Sequence, residues 1–102
     1  MSVMKVLENY AWDQQPNLPG FSGRSCLSGR RGPVVFVATE DHDGQIEISL
    51  AKFDPKKRPG KASKPCSAEN AFAFFKAIGV IPIEGFETKT TRHFVVRRGS
   101  IQ

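Results

Sequence analysis

The sequence predicts an α+β domain: a small antiparallel sheet of three to four strands with one main amphipathic helix packed on one face, and a short N-terminal helix beside it. Three observations carry this. Residues 45–50 alternate, with Ile46, Ile48 and Leu50 against Gln45, Glu47 and Ser49, the pattern of a strand with one buried face. Residues 34–39, Val-Val-Phe-Val-Ala-Thr, are rich in the β-branched and aromatic types that favour strands. Between Ser67 and Gly79 the apolar residues recur at helical spacing.

The chain has 102 residues, enough for one core and no second one. It is therefore read as a single domain, 1–102, with long irregular loops at about 13–33 and 52–65. Hydrophobic residues make up 39% and charged residues 25%, a globular rather than a disordered balance. Of the ten aromatic residues eight are Phe, which has no polar atom to satisfy and so suits a dry core.

At the N-terminus Val3, Val6, Leu7, Tyr10 and Ala11 stand at helical spacing, with Ser2 as N-cap. A short helix is expected there, a strand being the alternative. Pro16, Pro19, Gly20, Gly23, Gly29, Gly32 and Pro33 then punctuate the chain, which reads as an irregular loop, with Phe21 and Leu27 anchoring it. The run at 34–39 reads as a strand buried on both faces. The turn residues Glu40-Asp41-His42-Asp43-Gly44 join it to the strand at 45–50 in a β-hairpin. Pro55, Pro59, Gly60 and Pro65 mark a second loop, exposed and basic.

Ser67 is placed to accept a bond from an orphan N–H of the main helix, and Glu69 suits the positive end of its dipole. On a wheel of ~100° per residue, Ala68, Ala71, Phe72, Phe74, Phe75 and Ile78 share an arc of ~160°. Gly79 is a fitting stop, and Pro82 prevents continuation. Residues 86–98 read as the last strand, or as two strands if a turn breaks them.

No apolar run approaches the roughly 20 residues of a membrane helix. The N-terminus lacks the charged-then-apolar order of a secretion signal. A cytoplasmic location is the expectation, and the two cysteines, Cys26 and Cys66, are expected as free thiols.

Fifteen basic residues face ten acidic ones, a net charge of +5 with a pI of about 9.6. Eleven of the fifteen fall in three clusters: Arg24, Arg30 and Arg31; Lys56, Lys57, Arg58, Lys61 and Lys64; Arg92, Arg97 and Arg98. Such clustering favours anionic partners.

Other constellations are weaker. Gly20-Phe21-Ser22-Gly23-Arg24-Ser25-Cys26 lacks the strand before, the helix after and the Gly-Lys-Ser/Thr ending of a nucleotide phosphate loop. Asp41, His42 and Asp43 are adjacent, so they suit a turn better than convergence on one metal. Cys66 precedes a helix start, where a thiol pKa can be lowered, and Cys26, His42 and His93 are the other members of any Cys–His pair. No catalytic, metal or cofactor signature emerges, and no enzyme is expected. Tyr10, Trp12 and Phe21 lie near the first basic cluster, as loop anchors or as stacking residues.

The expectation is a small basic accessory protein that binds nucleic acid, DNA or RNA, mainly through phosphate contacts from basic loops. Its contact residues would be Arg30, Arg31, Lys56, Lys57, Arg58, Lys61, Lys64, Arg97 and Arg98. The alternative is a non-enzymatic interaction module, an inhibitor or adaptor, docking on an acidic protein surface. No membrane partner is expected. Open sheet edges leave a homodimer as an option.

Overall fold

The computed structural model describes residues 3–16, 25–41, 44–56 and 64–97, with the backbone alone at Gln15, Pro16 and Arg97. Its elements in chain order are α1 (Val3–Glu8), β1 (Ala11–Pro16), β2 (Ser25–Arg31), β3 (Val34–Glu40), β4 (Gln45–Lys52), α2 (Ala68–Ile78), β5 (Glu84–Glu87) and β6 (Arg92–Arg97). The strands form one antiparallel sheet in the order β1-β2-β3-β4-β6-β5.

The main helix and the central hairpin stand where local signals place them. The Ser67 hydroxyl accepts from the Asn70 amide at 3.0 Å, and Gly79 closes α2 with a left-handed φ of 74°, the conformation glycine adopts without a Cβ clash. In the hairpin, Gln45 N–H donates to the Asp41 carboxylate at 3.0 Å, and Asp41 N–H donates to the Gln45 carbonyl. The N-terminal segment is helical as expected over Val3–Glu8, while Ala11, counted into the helical spacing, begins β1.

The expected sheet of three to four strands is corrected to six strands, so the molecule is mostly sheet. The extra strands come from segments without strand propensity. β1 and β2 occupy part of 13–33, where the punctuation predicts loop. β2 reads Ser-Cys-Leu-Ser-Gly-Arg-Arg, small and polar residues held extended by pairing on both sides, Leu27 with Ala38 and with Gln14. Gly29 is required there: a Cβ would collide with the Tyr10 carbonyl oxygen, and would stand 2.8 Å from Phe36 Cζ. A glycine that reads as loop punctuation is a point of close backbone approach.

Residues 86–98 take the two-strand alternative, broken by a turn at 88–91, where the Thr88 hydroxyl accepts from the amides of Thr90 and Thr91. Pairing begins before this turn, at Glu84. Of the second loop, 52–65, the stretch 57–63 lies outside the described residues, as does Phe21.

Both helices pack on one face of the sheet. Val3 and Leu7 of α1 and Ala71, Phe74, Phe75 and Ile78 of α2 enclose a core with Leu27, Val34, Phe36, Ala38, Ile46, Ile48, Leu50 and Val96. Rings interlock across it: Phe36 with Phe74 at 5.8 Å and Phe75 with Phe94 at 4.7 Å. Burying each such side chain contributes about 1.5–3 kcal/mol. Two further expectations are corrected. β3 is buried on one face only, since Val37 is 46% exposed. Phe72 is 70% exposed, because the sheet meets the arc of α2 centred on Phe74, Phe75 and Ile78.

β1 and β5 are the sheet edges. On β5, Glu84 and Glu87 flank the strand, a charge placement that discourages edge-to-edge pairing.

Candidate functional site

The turn between β2 and β3 carries the first cationic pair. Alternation along β2 sends Arg30 and Arg31 to opposite faces of the sheet. Gly32, at φ 58°, closes the turn. Each guanidinium lies over an aromatic ring: Arg30 over Phe53 at 4.1 Å, Arg31 over Tyr10 at 4.5 Å. Stacking of this kind holds the planar group in place while its N–H edges stay available to a phosphate.

The end of β4 adds the second group. Phe53 N–H donates to the Pro33 carbonyl at 2.9 Å, and Lys52 N–H donates to the Lys64 carbonyl at 2.8 Å. The two basic segments, remote in sequence, are thus tied to one end of the sheet. Arg30, Arg31, Lys52, Lys56 and Lys64 gather there. Asp54 is in the same turn, its carboxylate accepting from the Lys56 amide at 2.9 Å. Arg92 also reaches this end, where Nε donates to the Cys66 carbonyl at 2.6 Å and the guanidinium pairs with Glu87 at 2.9 Å. A shallow cleft of about 300 Å³ adjoins Arg31, running from Gly32, Pro33 and Val34 to Ala73 and Phe74 of α2.

Of the nine residues expected from sequence, Arg30, Arg31, Lys56 and Lys64 are brought together. Arg97 is not: its backbone pairs with Gln45 at the opposite end of β4, seven residues from Lys52 and so roughly 24 Å away at the rise of a strand. Glu40 and Asp41 stand at that far end. Lys57, Arg58, Lys61 and Arg98 lie outside the described residues. Sequence reasoning counts Lys52 into the second loop but leaves it out of the contact set; the structure places it at the end of β4. It also leaves out Phe53, whose pairing with Arg30 no spacing rule announces.

Of the face opposite the helices, the sequence shows only the alternation that sets Gln45, Glu47 and Ser49 on one side of β4. Paired positions set Ser28, Val37, Ser49, His93 and Phe86 in one row from β2 to β5. Ser49 Oγ is bonded to His93 Nδ1 at 2.7 Å, and Thr91 Oγ1 to Nε2 at 2.6 Å. Phe86, 63% exposed, stacks on the imidazole at 5.0 Å with 19° between the planes. The signal available in sequence is Phe86 beside glycine in an otherwise charged stretch, an apolar ring with no apolar neighbours.

The cysteines are buried and unbridged. Burial pushes both thiols up, with Asp13 adding to the effect at Cys26. At Cys66 burial outweighs the opposing pull of Arg92 and of a backbone hydrogen bond. A raised thiol pKa leaves less of the nucleophilic thiolate. Asp41 serves the hairpin turn, as above, while His42 and Asp43 lie outside the described residues. Among the described residues no three His, Cys, Asp or Glu side chains are grouped to hold a metal ion, and no helix is long and apolar enough to cross a membrane.

No protein-family model, curated protein or solved structure matches this chain.

Proposed function

We propose that the protein binds nucleic acid through phosphate contacts made at the cationic end of its sheet. The observation that carries this reading is the meeting of Arg30, Arg31, Lys52, Lys56 and Lys64 at the β2–β3 turn and the end of β4, joined by the Phe53–Pro33 and Lys52–Lys64 backbone bonds. Cations gathered at one end of a sheet release condensed counterions from a phosphate backbone, a gain that is entropic and weakens with salt. Arg97 is not part of this contact set. The role is binding rather than catalysis, and the proposed compartment is the cytoplasm, where unbridged cysteines remain reduced.

The test is a titration of fluorescent oligonucleotides across a salt series. Log affinity should fall linearly with log salt. The triple variant Lys52→Gln, Lys56→Gln, Lys64→Gln should flatten that slope by about 2–3, at roughly 0.7–0.9 for each phosphate no longer neutralised. Absence of binding at low salt, or an unchanged slope in the triple variant, overturns the reading. A stoichiometric protein partner that survives nuclease treatment and no longer binds the same variant would point to an acidic protein surface instead.

A further inference from the structure

The cationic end explains attraction to phosphate but not which form of nucleic acid is held. The face of the sheet opposite α1 and α2 bears on this. α1 and α2 both pack on the other face, and Val37 at the middle of the open one is 46% exposed. The row Ser28–Val37–Ser49–His93–Phe86 crosses five strands, about 19 Å at the usual strand separation. Along the strands, the next positions toward the cationic end are Arg30, Val35 and Ala51, paired in register. Beyond Ala51 comes Phe53, with Arg30 stacked on it. The row is thus flanked on one side by the cationic rim.

On its other side stands an acidic row. Thr39, Glu47, Val95 and Glu84 are paired across β3, β4, β6 and β5. Phosphates would be repelled there and attracted at the rim. A polynucleotide on this face is therefore oriented, with its backbone toward Arg30 and its bases turned inward over the middle row.

The end of that row is built to receive a flat ring. His93 is held at both ring nitrogens by the Ser49 and Thr91 hydroxyls, which fixes the plane of the imidazole. Phe86 lies parallel on it and is mostly exposed. A ring ordered from beneath and open above is a stacking platform, and stacking accepts any base because every base has a π face.

We propose that this face binds single-stranded nucleic acid, with one unpaired base stacked on the Phe86–His93 pair. The inference rests on the phosphate-binding reading and adds the strandedness of the ligand. A base in an intact duplex presents only its edge in a groove; a platform on a broad sheet face can meet its flat side only when the base is splayed out.

The experiment compares fluorescence anisotropy titrations with a labelled oligothymidylate, a labelled oligouridylate and a labelled duplex of equal length, at one salt concentration. Both single strands should bind more tightly than the duplex. Phe86→Ala should weaken single-strand binding about 5- to 150-fold, with the salt slope unchanged and duplex binding unaltered, and Phe86→Tyr should retain most of the affinity. Salt-sensitive binding that is equal in wild type and Phe86→Ala, or a preference for duplex, overturns the stacking seat and leaves the phosphate reading standing. Binding of none of the three ligands overturns both.

Discussion

Phe86 and His93 come from opposite sides of the β5–β6 turn and stack face to face, with centroids 5.0 Å apart. Behind this pair stands Ser49, bonded to Nδ1 from β4. The arrangement spans three strands and lies near the surface, so water can replace what a mutation removes. Phe86→Ala should change unfolding free energy by no more than about 0.5 kcal/mol, and Ser49→Ala by about 0.5–1.5 kcal/mol. Urea denaturation measures both. A large loss in Phe86→Ala would mean that the ring supports the fold rather than a ligand.

Two phenylalanines three positions apart on α2 should behave oppositely. Phe75 is buried against Phe74 and Phe94, whereas Phe72 is 70% exposed. Phe75→Ala should cost about 3–5 kcal/mol. Phe72→Ala should stay within about 0.5 kcal/mol. Equal costs would show that α2 is rotated from the orientation described.

Gly29 tests whether the β1–β2 pairing is as close as the geometry requires. An added methyl group meets backbone at Tyr10 and Ala11 and the Phe36 ring at once, and backbone cannot step aside as a side chain can. Gly29→Ala should destabilise by about 1–3 kcal/mol or more. A denaturation midpoint equal to wild type would exclude this pairing.

Arg92 joins the chain preceding α2 to the sheet through the Cys66 carbonyl. Removing a charged donor to a half-buried carbonyl costs about 1.5–3 kcal/mol, and Arg92→Ala should lose stability on that scale. The Glu87 carboxylate is largely exposed, 49% by side-chain area, so Glu87→Gln should cost less than about 1 kcal/mol. The two variants, compared by thermal and urea unfolding, separate the carbonyl bond from the ion pair.

The thiols set an alkaline limit. Both are held above the usual range by burial, so the folded protein keeps these protons while the unfolded chain ionises at about pH 8.5. The stabilisation is complete below that pH and is lost as pH rises through the raised folded values. The urea midpoint should therefore decline above about pH 8.5, and decline less in the variant Cys26→Ala, Cys66→Ala. An alkaline fall of equal size in both proteins would assign it to other groups.

The sequence by itself determined the elements whose signals are local. α2 was legible because its cap, its apolar stripe and its left-handed glycine all lie within thirteen residues of one another, from Ser67 to Gly79. The β3–β4 hairpin was legible because alternation and turn residues adjoin. The basic character was also a property of sequence alone. Tertiary structure decided the rest. β2 is extended because its neighbours pair with it, and its own residues carry little preference for a strand. Which side of α2 is buried depended on where the sheet lies, and this left Phe72 outside. Arg31, Lys52 and Lys64 meet because strands bring distant positions into register, and the same register carries Arg97 to the far end. Ser49 and His93, 44 residues apart, are partners for that reason. Capping and periodicity act over a few residues, whereas strand pairing and the faces it creates are set by contacts that chain separation does not encode.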